Sequence, residues 1–149
     1  MDNKKELIVS AIENGTVIDH IPADAVYRVA SILELSLHDD EVIIGTNLMS
    51  KKLGKKGIIK IKNKYFKQNE IDKIAVAAPF ATLIEIRDSQ KVVKRSVEIP
   101  DVLHAIVKCI NPNCITNVED VPTKFTVIEK NPLKIHCHYC EKTQEPMLH

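Results

Sequence analysis

The four cysteines of this 149-residue chain are the side chains most able to do chemistry. They are spaced as two pairs, Cys109-x4-Cys114 and Cys137-x2-Cys140, with twenty-two residues between the pairs. Each spacing sets two sulfurs on one side of a tight turn. Two such turns face to face make the tetrahedral four-thiolate site that zinc prefers. Asn111, Pro112 and Asn113 fill the first turn, and residues of these types bend the backbone readily. Four thiolates complete the shell without His136 or His138. A closed shell has no position for water or substrate, so the zinc expected here is structural and not catalytic.

Three other readings of the same cysteines compete. Two disulfides would suit an oxidising compartment, but nothing at the start of the chain reads as a signal peptide, and a reducing setting is expected. A redox Cys-x-x-Cys usually opens a helix beside a βαβ pattern, whereas the neighbours of Cys137 read as short strands. Four unrelated buried thiols would leave the double-pair spacing unaccounted for.

Outside the cysteines, Asp19 and His20 stand between Ile18 and Ile21, just before Pro22. A strand-end carboxylate and a satisfied histidine is the plain reading of that pair. Eight lysines fall between Lys51 and Lys67. A charge run is usually a solvated face, but Lys60 and Lys62 should project on the same side of a strand, where they can meet phosphates as point charges. No Gly-rich phosphate-binding pattern accompanies them, which excludes a P-loop or dinucleotide fold.

The elements that must position these groups follow from periodicity and punctuation. Residues 6–12 and 15–21 read as extended, separated by the Asn14-Gly15 turn signal. Pro22 and Asp24 mark the start of a helix over 23–36, with apolar spacing at Val26, Val29, Ala30 and Leu33. A strand is expected at 41–48, then a Lys/Gly-rich loop at 50–57, then a strand at 58–62. A second helix opens at Asn69-Glu70 and ends at Pro79, and strands follow at 81–87 and 91–98. The order β, β, α, β, β, α, β, β describes an α+β unit, an antiparallel sheet with two helices of ferredoxin-like kind. Pro100 separates it from a cysteine-bearing half whose apolar stretches, 102–110, 125–128 and 133–137, are each too short to bury much alone. So small an all-β module rarely has core enough to fold unaided, and a metal is a common remedy. Two domains are therefore expected, 1–100 and 101–149.

Composition narrows the function classes. Apolar content of 44% and charged content of 28% are those of an ordinary globular protein. No apolar run approaches a membrane span, and the cytoplasm is the expected location. A net charge of +1 with no Trp, three Tyr and three Phe argues against a zinc-ribbon nucleic-acid binder, the main alternative function. An enzyme built on Asp19 and His20 would lack both a nucleophile and an open metal site.

Longer motifs carry a resemblance. GTVIDHIPA at 15–23, GxNLxSxxxGxKxxIKIxN at 45–63, APxAT at 78–82, CxNxxCI at 109–115 and CxYCE at 137–141 closely resemble the aspartate carbamoyltransferase regulatory chain, nearly end to end. The resemblance implies a non-catalytic subunit. Its N-terminal domain would bind nucleotides and form a regulatory dimer, and its zinc domain would dock onto catalytic trimers. CTP would inhibit carbamoyl-aspartate synthesis, the committing step of pyrimidine formation, and ATP would activate it. By the same resemblance Val9, Ala11 and Ile12 would line the base pocket, Asp19 would face the ribose hydroxyls and Lys60 would reach base or ribose. Lys94 would meet the triphosphate, with His20 beside the phosphates. The chain departs from the family where Ile84 replaces a usual Asn, Ser89 a usual Tyr and Lys91 a usual apolar residue.

Overall fold

The computed structural model describes residues 12–146. The chain divides into two compact units between Val97 and Glu98, and each holds its own antiparallel sheet. In the first unit the strands are β1 (Gly15–Pro22), β2 (Val42–Ser50), β3 (Gly54–Lys62), β4 (Thr82–Arg87) and β5 (Gln90–Ser96). They lie in the order β2-β3-β1-β4-β5. Helix α1 (Val26–Ile32) links β1 to β2, and helix α2 (Gln68–Ala77) links β3 to β4. This is the expected ferredoxin-like α+β arrangement, with β5 added at one edge. The strand expected over 6–12 lies, apart from Ile12, outside the described residues.

Alternation along the strands sorts the side chains onto two faces. Ile18 on β1, Ile59 and Ile61 on β3 and Leu83 on β4 share one face and are at most 1% exposed. Val26 and Val29 of α1 and Ile74 and Ala75 of α2 are fully buried with them. The helices therefore cover this face and leave the other to Val17, Ile58, Lys60 and Ile84. Contact between β3 and α1 is close enough to require a glycine. A Cβ on Gly57 would fall 1.6 Å from Val26 Cγ2.

Two sequence expectations change in extent. The helix expected over 23–36 is a 3-10 turn at Ala23–Ala25, then α1, then a second 3-10 turn at Leu35–Leu37. Glu34 adopts φ 54, which ends the helix and returns the buried Leu35 to the core. The loop expected over 50–57 shrinks to Lys51–Leu53, because Lys55 pairs with Met49 and Lys56 with both Leu48 and Pro22. Lysine stems lie along a strand while their ammonium heads stay in water, so composition alone mistakes such a strand for a loop. Between β4 and β5, Asp88 and Ser89 take φ 51 and 65, as in a two-residue hairpin turn. Their N–H groups donate to Asn14 Oδ1 and Glu13 O.

Helix α2 has a clear start and stop. Glu70 accepts from the Lys67 N–H at 3.1 Å, satisfying a donor that the helix leaves unpaired. Pro79 disfavours helical geometry at Ala78, where the helix has already ended. In the second unit, β6 (Val102–His104), β7 (Lys124–Lys130), β8 (Leu133–Cys137) and β9 (Thr143–Gln144) form a sheet in sequence order. Its core is small: Leu103, Phe125 and Ile135 are fully buried and Val107 nearly so. One helical turn, α3 (Ile115–Val118), interrupts an otherwise all-β unit. No described helix is long and apolar enough to cross a membrane.

Gly57→Ala is expected to destabilise the first unit by about 1–3 kcal/mol through overpacking. Because the clash is with the Val26 side chain, Val26→Ala should relieve it. In urea unfolding the double variant should lose less than the sum of the single losses. Simple additivity would show that Val26 is not what demands the glycine.

Candidate metal centre and a lysine-flanked sheet face

The tertiary structure brings the two cysteine pairs together. The sulfurs of Cys109, Cys114, Cys137 and Cys140 all lie within 4.8 Å of one another. Cys109 and Cys140 are 3.6 Å apart, and Cys114 and Cys137 are 3.8 Å apart. A tetrahedron with zinc–sulfur bonds of about 2.3 Å has sulfur–sulfur edges of about 3.8 Å. Disulfide sulfurs would stand at about 2.05 Å, so the four thiols are free and their arrangement fits zinc.

Backbone and amide hydrogen bonds shape both turns. Cys114 N–H donates to Asn111 O at 3.0 Å, and Glu141 N–H donates to Cys137 O at 3.0 Å. Asn117 Nδ2 donates to Cys109 O at 2.9 Å and to Asn111 O at 2.7 Å. Thr116 Oγ1 donates to Cys114 Sγ at 3.2 Å, favouring the thiolate. Burial pushes the Cys109 thiol up to about 12, with the neighbouring Cys140 and Cys114 thiols adding to the rise. At Cys140 burial also raises the pKa, but the Lys142 N–H and the Asn111 side chain outweigh it, leaving about 7. Four sulfurs this close resist simultaneous ionisation by mutual repulsion. A divalent cation supplies the charge that lets all four ionise.

The second candidate lies on the helix-free face of the first unit. Pairing runs in one row across the sheet: Ile43 with Lys60, Lys60 with Val17, Val17 with Ile84, and Ile84 with Lys94. Directly paired residues point to the same face. Lys60 and Lys94 therefore flank Val17 and Ile84. Three strand spacings separate the lysines, or about 14 Å between their Cα atoms. Ile12 is 6% exposed and packs with Val17, Ile58 and Ile84, with Leu48 and Ile86 against them. Val9 and Ala11 lie outside the described residues.

At one end of this face β1 is irregular. Register shifts between Ile18 and Ile21, and His20 takes φ 56. Such a bulge re-aims side chains. Asp19 pairs with Thr82 in the sheet, meets Lys56 Nζ at 2.8 Å and accepts from the His20 N–H at 2.6 Å. His20 Nδ1 lies 3.0 Å from Thr82 Oγ1. Desolvation raises the Asp19 pKa, but Lys56 and the His20 N–H together hold it below 3.8. Sequence reasoning missed Lys56 because it stood in an expected loop, and Thr82 because only strand register brings it to His20.

Two comparisons bear on these sites. Residues 7–98 match the family model described as aspartate carbamoyltransferase regulatory chain, allosteric domain. Residues 101–146 match that of the metal binding domain of the same chain. The sequence is 52% identical to the aspartate carbamoyltransferase regulatory chain of Bacteroides thetaiotaomicron, over 97% of this chain and 94% of the relative. It is 54% identical to the chain of that name from Pyrococcus horikoshii, over 94% of this chain and 93% of the relative.

Two outcomes follow from the geometry. Chelation of the metal should abolish amide-exchange protection in residues 102–144 and leave it intact in β1, β3 and β4, since only the second unit depends on the sulfurs. The lowered Asp19 pKa contributes stability that is present above about pH 4 and lost as pH falls through its folded value. In acid titrations of stability Asp19→Asn should therefore show a shallower loss below about pH 4 than the parent.

Proposed function

This chain belongs to the aspartate carbamoyltransferase regulatory chain family, and from that premise we propose that it carries nucleotide control to catalytic chains. A regulatory chain is a non-catalytic subunit, so the proposal concerns what it binds and what it changes. The first unit would take CTP as an inhibitor and ATP as an activator, and it would pair with a second copy in a regulatory dimer. The zinc-bearing unit would dock onto catalytic trimers, placing the chain in the cytoplasmic control of pyrimidine synthesis.

The observation that carries this reading is the row from Lys60 through Val17 and Ile84 to Lys94. An apolar floor between two lysines whose Cα atoms stand about 14 Å apart suits a long anion with a flat, weakly polar end. A nucleoside triphosphate is such a molecule. In this reading the base rests near Ile12, with Val9 and Ala11 contributing backbone, and Lys60 reaches base or ribose. Asp19 accepts ribose hydroxyls, held ionised by Lys56, while Lys94 and His20 meet the phosphates. Ile84 has no hydrogen-bonding group, so its side chain cannot distinguish one base from another.

Zinc would supply a rigid junction between the two cysteine turns, offsetting part of the charge of four thiolates. Cys109, Cys114, Cys137 and Cys140 would hold it, and the surrounding amides orient them. Control then requires that nucleotide favour one quaternary state over another. Coupling of this kind is typically about 1–3 kcal/mol and is reciprocal, so active-site ligands should alter CTP affinity by the same factor.

Titrating the cognate catalytic trimer with this zinc-loaded chain, with and without CTP, tests the proposal. A CTP-dependent change in aspartate saturation should appear only when the chain is present, and stripping zinc should free an active trimer. Retention of the metal-free chain on the trimer would refute the connector role. By calorimetry, CTP and ATP should bind within about tenfold of each other, because one hydrogen bond is worth about 1 kcal/mol. No heat with either nucleotide would remove the effector site.

A further inference from the structure

Gln144 is 6% exposed and sits on β9, the last and shortest strand of the second unit. It lies opposite Ile135, whose side chain is fully buried. Its amide is engaged at both ends, and the side chain does more than fill space. Oε1 accepts from the Ile110 N–H at 2.9 Å. Nε2 donates to Lys108 O at 3.1 Å and to Glu145 O at 3.3 Å. The two residues it grips across the fold, Lys108 and Ile110, are those on either side of Cys109.

We propose that Gln144 is a positioning residue for the metal centre, clamping the backbone on both sides of Cys109 so that this sulfur is aimed before metal arrives. The inference rests on the reading of the four sulfurs as a zinc site. Three facts converge on Cys109. Gln144 holds both flanking peptides, Asn117 Nδ2 holds the Cys109 carbonyl, and the residue is 1% exposed. Cys140 differs, being the one partly exposed member of the four. Its turn is tied by backbone bonds, Glu141 N–H to Cys137 O, Cys137 N–H to Lys142 O and His138 N–H to Lys124 O, and among the described residues no side-chain clamp grips the peptides on both sides of Cys140. The Cys109 turn has local ties of its own, Cys114 N–H to Asn111 O among them, and adds the grip of a side chain more than thirty residues away on both peptides that flank the cysteine. Cys109 is thus the preorganised arm of the site, and Cys140 is the arm at which metal exchange begins.

Partners that orient a metal ligand typically contribute 10–100-fold to metal affinity when tested by mutation. The test uses the full zinc-loaded chain, with zinc affinity measured by chelator competition and cysteine exposure by alkylation and mass spectrometry during slow chelation. Gln144→Leu keeps the bulk and removes all three hydrogen bonds, so zinc affinity should fall about 10–100-fold. Alkylation, which should begin at Cys140 in the parent, should shift toward Cys109 in the variant. Gln144→Glu keeps the acceptor for Ile110 but cannot donate to Lys108, and an intermediate loss is expected. It remains informative if the leucine variant does not fold. Phe125→Leu serves as a core control that weakens the same unit without touching the clamp. Equal zinc affinities in the parent and both Gln144 variants would overturn the assignment. An equal loss in the Phe125 control, with Cys140 still alkylated first throughout, would overturn it too. Failure of the parent to bind zinc at all would instead sink the metal reading on which the clamp rests.

Discussion

The alternation of side chains along β1, held in register by an antiparallel neighbour on each side, is the constraint on which the first unit depends. A slip of one residue would turn Ile18 away from the helices and Val17 into their place. Register is therefore held by the burial of Ile18, Ile59 and Leu83 against α1 and α2. The opposite face inherits its arrangement from that packing. Lys60, Val17 and Ile84 form a row because Ile59, Ile61, Ile18 and Leu83, one residue away on the same strands, are committed to the core, and Lys94 joins the row through the pairing of the exposed β5 with β4. The bulge at Asp19 and His20 is the one place where β1 leaves this rule, and both side chains meet polar partners there.

The second unit solves a different problem. Its sheet encloses only a few fully buried side chains, too small a core to stand alone. Bringing four sulfurs within 4.8 Å adds a repulsive cluster unless a cation balances it. Folding and metal binding of this unit are thereby expected to be coupled. Amide groups outside the ligand set lower the ordering left for the metal to do, since Asn117 and Gln144 bind the first cysteine turn from two directions.

The two units also differ in how much freedom they leave for control. A sheet face with an apolar centre and charged flanks can accept a ligand by small side-chain adjustments. A closed four-sulfur shell tolerates little adjustment and suits a fixed attachment. An adaptable sheet face beside a rigid junction would suit the role proposed for this chain, in which a binding event must be carried elsewhere without being absorbed locally.

Much of this was readable in the linear order of residues. Cysteine spacing alone specified a four-thiolate site, because a tight turn presents two sulfurs wherever it occurs. Strand and helix order followed from local periodicity, and the long motifs around Asp19, Lys60 and the cysteines carried the family. What local pattern could not supply was anything that depends on distant partners. The strand character of Lys55 and Lys56 arises from pairing with β2 and β1, which overrides a composition that reads as loop. The early end of α1 follows from the return of Leu35 to the core. Pairing of Asp19 with Lys56, of His20 with Thr82, and of Gln144 with the peptides around Cys109 joins residues 37 positions apart in the first case, 62 in the second and at least 34 in the third. Sequence determined which groups were present and which local shapes they prefer. Only tertiary structure decided which of them meet, because register and burial are settled jointly by the whole sheet and not by any one stretch of it.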